Sequence, residues 1–420
     1  MRHRLGLRRG EAGAVAVAFV LFFVLLAGYY VLRPIRDAMA VEAEVGRLDE
    51  LFAWTFGSML VVVPAWSWLV ARVARRRLLL LAYEIFAAML VGFASWWATD
   101  GAKPAIAQIF FVWLSVYTVF VVSVFWAFMA DVWREGQARR LYGLIAAGGS
   151  AGAIAGPALV ALLAKQAGIV PLLLLAAALL QVAVLCVLWL VRWARTHAAG
   201  ALGVHAEERV GGNAFAGFRL AARDPYLAGI ALVITLYALG STVLYVEQTR
   251  IVKEALPDAA SRVALFAKID LVSNTLTTGI ELIGTGWVMT RLGLSTALVV
   301  LPTVTAAGLA VYGLFPTLAV LIVVVISRRV VHFALERPAR EALFTVVGPE
   351  EKYKAKSFLD TVAYRGADWL AAKSHAAISA LGAAGASIAL GFAPIALLGI
   401  PLAFYLARRQ KALAEQGVVA

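Results

Sequence analysis

Charged side chains set into apolar runs are the groups in this sequence with chemistry to offer. Leu32-Arg33-Pro34-Ile35-Arg36-Asp37 places two guanidiniums and a carboxylate at the end of a long apolar stretch. Arg337-Pro338-Ala339-Arg340-Glu341 precedes Lys352-Tyr353-Lys354-Ala355-Lys356-Ser357-Phe358-Leu359-Asp360, and Arg365 follows. A guanidinium forks onto phosphate with two bonds, whereas an ammonium acts as a point charge. Arg33, Arg36, Arg340, Lys354, Lys356 and Arg365 therefore suit an anionic solute, with Asp37 and Asp360 beside them. Trp126, Tyr29, Tyr30 and Tyr364 offer ring faces, either for stacking or as anchors at the lipid interface.

An ionisable group at mid-bilayer costs about 2.5–3.5 kcal/mol on insertion scales, so each such residue is a functional candidate. Glu281 is the deepest acid of a segment that also holds Lys268, Asp270, Asn274 and four threonines. It reads either as a cavity or coupling carboxylate or as the buried partner of a base. Lys268 and Asp270 lie nearer that segment's outer end, within reach of solvent. Lys356, Asp360 and Arg365 share a helical stripe, so a ladder of salt bridges is an open reading beside substrate contact. His332 reads as a helix-end histidine. There is no Walker A sequence, no Cys/His cluster for a metal and no catalytic constellation, so we expect neither an enzyme nor a cofactor.

These residues need helices in lipid to hold them. The 420 residues are 62% hydrophobic and 15% charged, against roughly 45–50% and about 25% in soluble domains. A membrane helix needs about 20 apolar residues. Twelve segments qualify: Ala12–Leu32, Leu51–Val70, Leu78–Trp97, Ala105–Met129, Leu141–Leu163, Ile169–Val191, Tyr226–Val246, Ala264–Met289, Ser295–Leu314, Thr317–Leu335, Phe358–Ala380 and Ser387–Leu406. The eighth and eleventh are the most polar. The basic start runs into a retained first helix, not a cleaved signal. The lone Cys186 makes no intrachain disulfide.

With the N-terminus cytoplasmic, the cytoplasmic tails and loops hold more than three times as many lysines and arginines as the opposite side. This predicts cytoplasmic termini and accounts for the net charge of +13 without nucleic acid. The polar, glycine-bearing stretch 192–225 reads as a linker between two six-helix halves, 1–191 and 226–420.

Short motifs carry a resemblance. Ser67-Trp-Leu-Val-Ala-Arg72-Val-Ala-Arg75-Arg76 resembles the major facilitator loop G-x-L-a-D-R-x-G-R-R, with the glycines and aspartate replaced. Gly148, Gly152 and Gly156, followed by Pro157, resemble that superfamily's G-x-x-x-G-P element; small residues at this spacing let helix backbones approach in lipid. Leu32-Arg33-Pro34-Ile35-Arg36-Asp37 is similar to L-R-x-x-K-D of the non-mitochondrial ATP/ADP translocases, with arginine for lysine. Ser123-Val124-Phe125-Trp126-Ala127-Phe128 is similar to their S-x-x-F-W-x-F, one residue shorter. Arg337-Pro338-Ala339-Arg340-Glu341 resembles D-P-x-K-E, and Lys352 to Asp360 resembles K-x-K-x-K-x-x-x-D.

The resemblance implies an all-α membrane protein with the major facilitator fold, twelve helices in two halves, in a bacterial inner membrane. It implies a monomeric secondary carrier of a nucleotide or other phosphorylated anion, working by alternating access. Substrate residues would include Arg33, Arg36, Asp37, Trp126, Glu281, Arg340, Lys354, Lys356, Asp360 and Arg365. Loop and gating residues would be Arg72, Asp131, Arg139, Arg140 and Glu341. The alternative is a proton-coupled facilitator for an unrelated small solute, with Glu281 as proton carrier and the arginines as gating pairs.

Overall fold

In the computed structural model the described residues are 11–43, 48–70, 75–99, 103–133, 135–197, 223–348, 355–356 and 358–417. The side chains of 63, 66–70, 75–78, 135 and 139 also lie outside the description. Fourteen α-helices are named here: α1 (Ala12–Glu42), α2 (Leu48–Val70), α3 (Arg75–Trp97), α4 (Lys103–Val132), α5 (Glu135–Ala167), α6 (Ile169–His197), α7 (Pro225–Ala255), α8 (Ala259–Ile280), α9 (Gly293–Leu314), α10 (Leu318–Val331), α11 (Arg337–Leu343), α12 (Tyr364–Ala380), α13 (Gly385–Leu397) and α14 (Gly399–Gly417). Single π-helical segments occupy Glu281–Thr285, Val288–Leu292, His332–Glu336 and Leu359–Ala363.

Nine helical spans among the described residues are long and apolar enough to cross a membrane, not the expected twelve. The shortfall has physical causes. The eighth and eleventh segments are helical but carry charges, including Lys268 and Asp270 in α8 and Arg365, Asp368 and Lys373 in α12. The predicted linker falls largely on 198–222, outside the described residues, as do Arg72 and Lys354; only the backbone of Arg139 is described, within α5.

The chain divides into two compact units. One comprises Met1–Ala43, Val61–Val210 and Asp258–Leu271; the other comprises Glu44–Leu60, Gly211–Pro257 and Val272–Ala420.

In the first unit α1 is the central helix, with α4, α5 and α6 against it. The glycine face of α5 allows this. A Cβ at Gly148 would stand 2.3 Å from the Phe19 carbonyl oxygen, at Gly152 2.3 Å from that of Phe23, and at Gly156 2.6 Å from that of Ala27. Phe22 stacks on Phe125 at 4.2 Å between ring centres, tying α1 to α4. Asp258 caps α8 by accepting from the Ser261 amide at 2.7 Å, and the Ser261 bonds hold its carboxyl below the usual range.

In the second unit Asp224 caps α7, accepting from the Tyr226 amide at 2.8 Å, with Pro225 opening the helix. Tyr226, Leu227, Ile230, Ile234, Leu298, Leu343, Phe344 and Leu406 form an apolar core, into which the Tyr226 hydroxyl donates to the Leu343 carbonyl at 2.8 Å. A π-helical segment frees backbone carbonyls from the α ladder. Thr285 supplies one partner, its hydroxyl donating to the Ala334 carbonyl at 2.6 Å.

Candidate functional site

Arg328, His332, Glu336 and Arg340 recur every four residues along α10, the π segment His332–Glu336 and α11. An α-helix with this spacing presents them on one face. The residue face is nearly closed to solvent: Arg328 is 4%, His332 6% and Glu336 1% exposed.

The contacts run along the stripe. Arg328 Nε donates to Thr305 Oγ1 of α9 at 3.0 Å, and Nη2 donates to the Tyr237 carbonyl of α7 at 2.6 Å. Its guanidinium lies over the Tyr237 ring, 4.8 Å from the centre. The same ring stacks on His332 at 3.8 Å, nearly parallel. His332 Nδ1 is 2.8 Å from Glu336 Oε2, without the alignment of a hydrogen bond. Arg340 Nε stands 3.3 Å from Glu336 Oε1, and its Nη1 donates to Asp360 at 2.9 Å. A small apolar cavity beside the stripe touches Tyr237, Thr305 and Glu336.

Most of the other described residues expected to bind substrate or to gate are engaged within their own unit. In the first, Arg33 pairs with Asp270 at 3.5 Å, and Asp270 is 1% exposed. That corrects the solvated position expected for Asp270; Lys268 is exposed. Arg36 donates to Asp37 at 2.6 and 3.0 Å and lies over the Phe111 ring. Trp126 is half-buried among Phe22, Phe125 and Tyr142. Asp131 lies at the end of α4, within electrostatic reach of Tyr142. Arg140 and Gln137 hold Glu11, at 3.2 and 2.9 Å.

In the second unit Lys356 pairs with Glu341 and sits over the Phe344 ring. Arg365 Nη1 is 3.4 Å from Asp368, which also accepts from Thr242 at 2.8 Å. Glu281 is exposed on its π segment, flanked by exposed Leu282 and Ile283, with Arg337 in electrostatic reach. Of the nominated cations among the described residues, Arg340 alone joins the stripe.

Two groups are absent from the sequence-derived candidates. Arg328 falls within the predicted span Thr317–Leu335 and is buried inside α10. Glu247 was placed just past a span ending at Val246, but α7 continues to Ala255. Glu247 is 0% exposed and accepts from Tyr312 at 2.7 Å and Arg250 at 2.8 Å, with His375 Nε2 at 2.9 Å. Its signal was present: an acid continuous with an apolar helical run. Among the described residues no group of three or more His, Cys, Asp and Glu is placed to hold a metal.

No family model and no curated protein sequence matches the chain. Solved structures do. A structure titled as the nucleoside transporter NupG is 14% identical, with a TM-score of 0.62, covering 97% of this chain and 99% of that one. The POT family transporter PepTSo is 12% identical, with a TM-score of 0.67, covering 95% of this chain and 98% of that one. A bacterial homolog of the human lysosomal transporter Spinster is 12% identical at a TM-score of 0.55, covering 97% and 98%. At such identities the likeness establishes the fold: this chain has an all-α, multi-spanning membrane fold of the kind these transporters share.

Proposed function

We propose that this chain is a proton-coupled secondary transporter of a small solute, working by alternating access, with the His332–Glu336 pair carrying the proton. One observation carries the reading. A carboxylate and an imidazole, both buried inside a membrane-spanning segment, lie 2.8 Å apart with their facing atoms left without hydrogen bonds. Imidazole changes charge near neutral pH, and a buried carboxylate beside it offers a second place for the same proton. The π segment between them supplies the local irregularity at which a helix bends or slides. Glu336, rather than the exposed Glu281, is the carboxylate we assign to this role.

We read the chain as two six-helix halves, 1–191 and 226–420, joined by 192–225, with cytoplasmic termini. The carboxylate pairing of Arg33, Arg36, Lys356 and Arg365 supports gating or internal pairing for these residues rather than a phosphate grip. The nucleotide reading then rests on the short resembling blocks alone.

The test is gradient-driven uptake. Protein is reconstituted in liposomes with an alkaline lumen and offered a mixture of nucleosides, peptides, amino acids, sugars and organic acids. Accumulation that an uncoupler abolishes is the expected result, and Glu336→Gln will lose accumulation while retaining exchange. Uptake indifferent to both uncoupler and Glu336→Gln overturns the reading.

A further inference from the structure

Arg328 is a buried cation of the stripe with no carboxylate of a described residue within ion-pair distance; Glu336 reaches it only at longer range. Arg340 has Glu336 and Asp360, and Arg365 has Asp368. Arg328 is 4% exposed, and its partners are a hydroxyl, a backbone carbonyl and a ring face: Thr305, the Tyr237 carbonyl and the Tyr237 ring. None of these carries a negative charge. Nη1 makes no hydrogen bond to a described residue.

A buried guanidinium bonded only to neutral groups keeps most of its desolvation cost, which an anion placed against its open edge offsets. The edge is single, and Arg340 and Arg365 are already paired with carboxylates. The site therefore balances one negative charge, as on a carboxylate; a phosphate ester with two charges would leave one uncompensated in a low-dielectric setting. The Tyr237 ring is taken up by His332 and the guanidinium itself, but the small cavity beside it is lined by Val233, Leu236, Leu301 and Pro302, next to Thr305, a lining that suits an apolar group. The geometry points to a solute-binding subsite at Arg328 that takes a monocarboxylate bearing an apolar group. The assignment rests on the transporter reading for its biological sense, while its geometry is independent of proton coupling. A nearly closed side chain is reached when α7, α9 and α10 part.

The experiment is equilibrium binding to the full-length protein in detergent, followed by calorimetry and thermal shift. The probes are benzoate, phenylacetate and indole-3-acetate, each against its neutral amide, with phenyl phosphate and inorganic phosphate as further arms. At least one carboxylate will bind and its amide will bind at least about tenfold more weakly, the scale of one charged hydrogen bond. Arg328→Gln will abolish the preference for carboxylate over amide, and Arg328→Lys will keep part of it. If Arg328→Gln does not fold, Arg328→Lys and Thr305→Val decide: the first must weaken carboxylate binding and the second must alter it, since Thr305 orients Nε. Equal binding of acid and amide by the wild type, no carboxylate binding at all, tighter binding of phenyl phosphate, or an unchanged Arg328→Gln overturns the subsite. The two proposals fail separately. Arg328-dependent binding without gradient-driven uptake sinks the transporter reading alone. Gradient-driven uptake of a neutral solute, indifferent to Arg328→Lys, sinks the subsite alone.

Discussion

His375 Nε2 of α12 stands 2.9 Å from Glu247 Oε1 of α7, both side chains buried. Tyr312 of α9 and Arg250 complete the set around the carboxylate. The cluster thus ties three helices of one unit through a single acid. Arg250 is 38% exposed, so its share is screened by solvent. The buried donors carry the rest: each one left without a partner costs about 1–3 kcal/mol. Glu247→Ala will therefore lower the thermal unfolding midpoint of the detergent-solubilised protein, and Glu247→Gln will lower it less. Gly385→Ala will act in the same direction, because a Cβ there would stand 2.1 Å from Glu247 Oε1. An unchanged midpoint in all three would remove the cluster from the stability of the fold.

Much of the fold was legible because lipid leaves few options. Apolar runs of about 20 residues must be helices, since backbone groups in hydrocarbon need internal partners. The glycine spacing at 148, 152 and 156 also foretold a close helix approach at α5, though not that α1 is the partner. The site was harder to read for one physical reason: charges end a hydropathy window but do not end a helix. The predicted spans stopped at Val246 and Leu335, each one residue short of a buried acid, Glu247 and Glu336. Helical hydrogen bonding continued through both. The conspicuous basic blocks drew attention instead, and their carboxylate partners lie far off in sequence, as Asp270 does for Arg33. No spacing rule reveals such pairs.

The α1–α5 interface gives a sharp comparison within one helix. At Gly152 an added methyl would meet the Phe23 carbonyl oxygen at 2.3 Å and the Ala27 amide nitrogen at 2.9 Å. Backbone cannot swing aside as a side chain can, so the helices must separate. Gly152→Ala will destabilise by about 1–3 kcal/mol, the usual range for overpacking. Gly143 on the same helix has open space around its Cβ position. Gly143→Ala will be neutral or stabilising by up to about 1 kcal/mol, because alanine loses less backbone entropy in a helix. Equal unfolding midpoints for the two variants would contradict the packing.

Arg33 and Asp270 form a pair in which the acid is buried and the base is 13% exposed. Breaking such a pair from one side leaves an uncompensated charge and costs about 3–5 kcal/mol, whereas replacing both partners costs much less. Asp270→Ala and Arg33→Met will each lower stability, and the double variant will recover much of the loss. A double-mutant cycle on the unfolding midpoint measures the coupling. Strict additivity would free Arg33 from its structural duty and return it to the solute.

The proton assignment yields a variant that separates packing from chemistry. The His332 imidazole stacks on the Tyr237 ring at 3.8 Å, and its Nδ1 faces Glu336. Phenylalanine at 332 keeps a flat ring against Tyr237 and removes the titratable nitrogen. Stacking contributes about 0.5–1.5 kcal/mol beyond area burial, so its retention protects the fold. Glu336 keeps Arg340 at 3.3 Å, so the acid is not stranded. His332→Phe will therefore fold with a midpoint near that of the wild type. Its exchange activity in liposomes will persist, because alternating access with bound solute needs no net proton movement. Accumulation driven by an alkaline lumen will disappear, because Glu336 then has Arg340 beside it and no imidazole with which to share its proton. Tyr237→Ala separates the roles from the other side: it removes the ring under both His332 and Arg328 and will lower the unfolding midpoint. A folded His332→Phe protein that still accumulates solute against its gradient would place the proton on another residue.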